Sequence, residues 1–174
     1  MSVNLHKVKN EYQKKALNAW RNAGYKGSVI CGTGFGKSRV GVLAVAHTLT
    51  NFTCSARALV LVPTVQLQDQ FKEEFTKWGY GHILDDIDII CYQSAYKYVD
   101  NHYDIVICDE VHLGLSPEYR KFFSNNTYDK LLCMTATLPE EYEYELHLST
   151  LAPTVFTITL DECVDLELVS PYKL

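Results

Sequence analysis

The sequence predicts an α/β domain, an open and mostly parallel sheet with helices on both faces. Two observations carry that reading. Five short, near-continuous apolar runs, "GSVIC", "ARALVLV", "DIDIIC", "YDIVIC" and "DKLLCMT", are bounded by polar or turn residues, as strands buried on both faces are. They alternate with segments of helical spacing, and alternation at this length implies right-handed βαβ units.

Each element has a local justification. "NEYQKKALNAWRNAG" has helical periodicity and ends at Gly24, a plausible C-terminal stop. "GSVIC" is the first strand and passes through a glycine-rich turn into the helix "KSRVGVLAVAHTL". The second strand, "ARALVLV", is followed after Pro63 by "TVQLQDQFKEEFTKWG", with Thr64 as N-cap and Gly79 as stop. "DIDIIC" then leads into "CYQSAY", and "YDIVIC" delivers Asp109 and Glu110. The helices "SPEYRKFFS" and "PEEYEYELHLSTL" flank the last strand, with Pro117 and Pro139 expected in their first turns. The acidic run Glu140 to Glu145 reads as a solvated helix face. In such sheets ligands lie beyond the carboxyl ends of the strands, so the glycine turn and the acidic pair are expected at one edge.

Composition narrows the class. A chain of 174 residues suits one domain with its own core, and 47% hydrophobic residues without repeats or low-complexity tracts suit a globular chain. Lys7 and Lys9 are not followed by an apolar segment, and no apolar run approaches membrane-spanning length. The expectation is an intracellular protein, cytoplasmic or nuclear, free of membrane partners, for which a virus or phage source is compatible. Cys31, Cys54, Cys91, Cys108, Cys133 and Cys163 form no C-x-x-C pair and read as small core residues of a reducing compartment, not as zinc ligands. The net charge of −5 hides an asymmetry: residues 1–84 carry eleven cationic against four anionic residues, and residues 85–174 five against seventeen. A polyanion could dock on the first half, although a mixed solvated surface explains the same count.

The chemistry centres on "VICGTGFGKSRVGV", Val29 to Val42. Gly32, Gly34 and Gly36 give a loop free to turn its amides around a phosphate chain, and a helix starting near Lys37 would point its positive end at the same anion. Lys37 would neutralise the outer phosphates, and Ser38 could ligate Mg2+. The strict phosphate-loop pattern wants glycine where Cys31 stands, and an ordinary glycine-rich turn is the alternative. After "YDIVI", Asp109 suits a metal ligand and Glu110 a group that orients or deprotonates water; two solvated loop carboxylates are the alternative.

"GTGFGKS", "DEVH" and "MTAT", in this order, resemble motifs I, II and III of superfamily 2 helicases and translocases of the DExH type. "EYQKKA" resembles the glutamine motif, "LVLVPTVQLQDQF" motif Ia, and "CYQSAY" the "TYQS" segment of the branch that includes restriction-enzyme motor subunits and phage helicases. "TVFTITLDECVDLELVSPYKL" resembles the stretch leading out of the first motor domain. The resemblance implies an N-terminal RecA-like P-loop NTPase domain over residues 1–160 and an exit segment over 161–174. It implies ATP and Mg2+ as cofactors.

The implied roles fall on Gln13 at the adenine edge, on Gly32, Thr33, Gly34, Phe35, Gly36, Lys37, Ser38 and Arg39 around the nucleotide, and on Ser38 and Asp109 at the metal. Glu110 and Lys37 are the implied catalytic pair. His112, Thr135, Ala136 and Thr137 would couple nucleotide state to nucleic acid, for which Thr135 and Thr137 have strand-end hydrogen bonding as an alternative. Pro63, Thr64, Gln66, Gln93 and Ser94 would meet a DNA or RNA backbone, and simple N-capping also explains Thr64. Tyr92, Tyr96 and Tyr98 could stack on bases, but aromatic residues more often pack. Cys31 and Gly32 depart from the family's motif I, which usually has a small residue or glycine and then often proline.

Helicases of this superfamily close ATP between two RecA-like domains. Only 37 residues follow Thr137, no arginine follows Arg120, and a βαβ unit alone takes about 30 residues. The resemblance therefore implies one lobe of a motor, needing a second RecA-like domain in cis or trans. Two other readings stay open: a nucleotide-binding interaction module without motor activity, and a kinase using the same loop, against which "DEVH" followed by "TAT" argues.

Overall fold

A computed structural model describes residues 2–50 and 56–167. The strands are β1 (Lys26–Cys31), β2 (Ala58–Val62), β3 (Ile87–Cys91), β4 (His102–Asp109), β5 (Thr127–Thr135) and β6 (Thr154–Ile158). The helices are α1 (Ser2–Asn22), α2 (Lys37–Thr50), α3 (Val65–Lys77), α4 (Pro117–Asn125), α5 (Tyr142–Leu151) and α6 (Leu160–Asp165). One sheet forms in the order β3-β2-β4-β5-β1-β6, and every neighbouring pair is parallel. The fold is thus the expected open α/β sheet, parallel throughout.

Alternation along the strands divides two cores. Val60, Val62, Ile105, Ile107, Leu132 and Met134 face α1, α2, α3 and α6, together with Trp20, Phe71 and Phe75. Leu59, Leu61, Val106, Cys108, Leu131 and Cys133 face α4 and α5, with Phe122 and Leu148. Successive side chains of a strand point to opposite faces, so runs apolar at every position, such as β2, are those that the two helical layers cover. Cys31, Cys91, Cys108, Cys133 and Cys163 are buried and unbridged, as expected of core cysteines; Cys54 lies outside the described residues.

The local signals hold in most places. Thr64 caps α3 by accepting from the Leu67 amide at 3.2 Å, and Pro117 occupies the first turn of α4. Gly24 and Gly79 take φ values of +80° and +86° just past α1 and α3. Elsewhere the structure departs from expectation. Helix α1 starts at Ser2, well before Asn10. Pro139 does not enter a first turn, because α5 begins at Tyr142 after Glu141; Pro139 is buried in the connection instead. Strand β6 and helix α6 were not anticipated within the exit stretch. Helix α6 crosses residue 160, and its Cys163 is buried in the core; residues 168–174 of the exit segment lie outside the described residues.

Candidate functional site

The parallel sheet brings the predicted residues to one edge. At their carboxyl ends β2 and β3 are in register at Val62 and Cys91, β4 and β5 at Asp109 and Met134, and β5 and β1 at Thr135 and Ile30. The chain therefore leaves the sheet side by side at Pro63 and Thr64, at Tyr92 and Gln93, at Glu110, at Ala136 and at the glycine loop.

The loop between β1 and α2 has two left-handed glycines, Gly34 at φ +86° and Gly36 at φ +82°. A side chain at either would be strained there. Gly32 answers a different demand: its amide donates to Ile158 O at 3.0 Å, and a Cβ on it would sit 2.8 Å from the Leu160 Cα. The close approach of β6 and α6, not phosphate contact alone, requires this glycine. The amides of Gly34, Gly36, Lys37 and Ser38 meet no backbone acceptor among the described residues, and they stand where α2 begins. Such amides, with the positive end of a helix, attract an anion.

Phe35 is placed in the core, its ring against Phe156, so it contributes backbone rather than side chain to the loop. Gln13 is also turned inward, 3% exposed. Its Nε2 donates to Phe35 O at 2.9 Å, and its Oε1 accepts from Arg39 at 3.0 Å. Its amide thus braces the loop, and the edge expected to read adenine is engaged by protein groups. Arg39 also donates to Asn10, and its guanidinium lies 4.2 Å from the Trp78 ring centroid. Asn10 and Trp78 were not singled out in the sequence.

Across from the loop, Asp109 is 5% exposed at the end of β4 and accepts the Glu110 amide at 3.0 Å. Burial raises its pKa from 3.8 to about 6, against the pull of the Lys37 charge. Burial likewise lowers the Lys37 pKa, which the neighbouring Asp109 opposes. Glu110 adopts a left-handed conformation, φ +46° and ψ +52°, and forms an ion pair with Lys37. Its other oxygen lies 3.5 Å from His112 Nδ1, and the same nitrogen is 2.7 Å from Thr135 Oγ1. Thr135 donates its hydroxyl proton to Thr137 O at 2.8 Å, which assigns the ring hydrogen to His112 Nδ1. Burial, then the Lys37 charge, lowers the His112 pKa and favours this neutral ring. A continuous polar chain therefore runs from Lys37 through Glu110, His112 and Thr135 to Thr137.

A cavity of about 380 Å³ opens between these walls, lined by Gly34, Gly36, Lys37 and Ser38 on one side and by Asp109 and Glu110 on the other. Leu67, Gln70, Phe71, Glu73 and Glu74 of α3 close it. That helical wall went unread, although the polar spacing of Gln70, Glu73 and Glu74 marks one exposed helix face. Of the remaining predicted residues, Thr33 is exposed at the loop tip, Ala136 is half-buried, and Thr64, Gln66 and Gln93 are exposed beside half-buried Pro63 and Ser94. Tyr92 belongs to the core: its hydroxyl donates to Asp109 O at 2.8 Å and its ring stacks on Tyr119. Among the described residues one group of potential metal ligands, His102, Asp104 and Asp129, lies at the other end of β4 and β5, away from this cavity.

Comparison with known structures shows the same fold. The UvsW helicase from bacteriophage T4 superposes with a TM-score of 0.64 at 17% identity, over 85% of this chain and 58% of its own. The Type ISP restriction-modification enzyme LlaGI, solved with a DNA substrate mimic, gives 0.68 at 16% identity, over 92% of this chain and 21% of its own. The Sulfolobus solfataricus SWI2/SNF2 ATPase core, solved with dsDNA, gives 0.62 at 17% identity, over 82% of this chain and 35% of its own. The chain thus spans less than two thirds of the length of each. A comparison with curated protein sequences gives no match. The family model described as type III restriction enzyme, res subunit, matches residues 6–140. With most of its length so matched, the chain belongs to the type III restriction enzyme res-subunit family, and its sheet has the α/β fold of the helicase domains it superposes on.

Proposed function

We propose that this chain is the ATP-binding lobe of a nucleic-acid-dependent ATPase, a helicase or translocase acting on DNA or RNA, with ATP and Mg2+ as cofactors. The observation that carries the reading is the convergence of Lys37, Asp109 and Glu110 on one cavity, with Glu110 joined through His112 to Thr135. The donor set fits a magnesium nucleotide: unpaired loop amides and an ammonium for phosphate, a hydroxyl and a buried carboxylate for a hard cation. Ser38 and Asp109 would hold the metal, and the glycine loop with Lys37 the phosphates. A bound magnesium nucleotide supplies the phosphoanhydride to be cleaved and a positive charge upon it.

The chain's own residues do the rest. Lys37 leaves Glu110 for the phosphate oxygens, which frees the Glu110 carboxylate to orient and deprotonate a water. His112, neutral and donating from Nδ1, reports that change to Thr135 and Thr137 at the sheet edge. Residues 1–160 form the N-terminal ATP-binding domain in this reading, and residues 161–174 lead toward a second RecA-like domain that completes the cleft. Nucleic acid lies along Pro63, Thr64, Gln66, Gln93 and Ser94. Phosphate release by the chain, alone and with a second lobe supplied, is measured with and without single-stranded DNA and RNA at low salt. Slow turnover alone and nucleic-acid-stimulated turnover with both lobes are expected. Stimulated turnover of several per second by the chain alone refutes the half-motor reading, and nucleotide binding without stimulation in the completed form favours an interaction module.

A further inference from the structure

Three tyrosines follow β3, and the structure separates them. Tyr92 is buried on Tyr119, and Tyr98 packs against the core on the α4 side. Tyr96 is 66% exposed, with the Lys97 ammonium 5.8 Å from its ring centroid. It sits on the short 3-10 turn Tyr92–Lys97, which leaves the sheet beside the start of α3, because β2 and β3 are in register at Val62 and Cys91. Neither the turn nor Pro63–Gln68 contains an acidic residue, in a chain with a net charge of −5. An exposed aromatic face flanked by a cation, Gln93 and Ser94, with neutral donors alongside, matches a strand whose bases stack and whose phosphates pass close by.

We propose that Tyr96 is a base-stacking platform for single-stranded nucleic acid, with Lys97 meeting the adjoining phosphate. The proposal rests on the nucleic-acid reading above and adds a contact to the bases. The turn is also tied to the acidic strand end, since Tyr92 donates to Asp109 O at 2.8 Å.

The test is fluorescence anisotropy at low salt, comparing a labelled oligothymidylate with an abasic strand of equal length, so that phosphates are matched and only bases differ. The parent chain is expected to bind the base-bearing strand more tightly. Tyr96→Ala should weaken that strand at least about fivefold, to the abasic level, while Tyr96→Phe retains the preference. Lys97→Ala should weaken both strands alike and reduce the salt slope by about 0.7. Equal affinity of the parent for both strands, or an unchanged preference in Tyr96→Ala, overturns the stacking while leaving the track. No binding of either strand by the parent or by the two-lobed form overturns the track and the platform with it. Tyr96 lies outside the core, so loss of fold does not confuse these outcomes.

Discussion

Asp109→Asn is expected to make the ligand-free fold more stable while weakening the metal ligation proposed for it. Folding raises the Asp109 carboxyl pKa from 3.8 to about 6 by burying it, so the folded chain holds that proton more tightly than the unfolded chain. The linked stability is fully present below about pH 4 and is lost as pH rises through about 6. At about 1.4 kcal/mol per tenfold change in proton affinity, the ionised carboxylate weakens the fold by about 3 kcal/mol at pH 8 and by about half that at pH 5. Asparagine keeps an oxygen to accept the Glu110 amide, now 3.0 Å from Asp109 Oδ1, and Lys37 retains Glu110 as its partner. Urea unfolding in EDTA at both pH values should show a gain of 1–3 kcal/mol, on the order of the buried charge removed, growing from pH 5 to pH 8. Added Mg-ADP should then stabilise the parent and leave the variant nearly unmoved. A variant no more stable than the parent at pH 8, or a gain equal at both pH values, refutes the reasoning.

Three further outcomes follow from the same geometry. Lys37→Ala should weaken nucleotide binding more than about tenfold by calorimetry with the fold intact, since it removes the cation facing the loop amides. Glu110→Gln should keep binding but abolish phosphate release in the two-lobed form, because a group acting on water contributes only in the transition state. Gly32→Ala should destabilise the chain by about 1–3 kcal/mol in denaturant titration, because the added carbon meets Leu160 backbone atoms at 2.8 and 2.9 Å that no rotamer change can move.

Much of the fold was legible because both-face burial writes itself as apolar runs, unbroken in β2 and carried by "VIC", "IIC", "IVIC" and "LLCM" in β1, β3, β4 and β5. Strand β6 is not such a run: it is an edge strand whose "TVFTI" is mostly half-buried or exposed, so pairing with β1 and packing of Phe156 on Phe35 select its conformation. Helix α6 left a trace that was readable in principle, since Thr159 and Glu162 stand at capping-box spacing and form that box. The grouping of the candidate residues was legible from residue types in order: Lys37, Asp109 and Glu110 line one cavity, and His112 meets Thr135. What sequence order could not convey was direction. Gln13 turns its amide to the loop, Phe35 turns into the core, and one tyrosine of three turns to solvent.

The strand order also sets a timetable for synthesis. β1 is made early, yet its neighbours are β5 and β6, with Lys26 beside Leu131 and Cys31 beside Ile158. As the chain leaves a ribosome, the glycine loop follows a strand with both edges bare until residues near 135 have emerged, and with one edge bare until residues near 158 have. Pairings this distant in sequence are slow to form, and unpaired apolar strands attract one another between chains. Between the emergence of β1 and that of β6, a nascent chain would thus be most exposed to aggregation. The need of this sheet for chaperones should fall abruptly, when β6 arrives to cover β1.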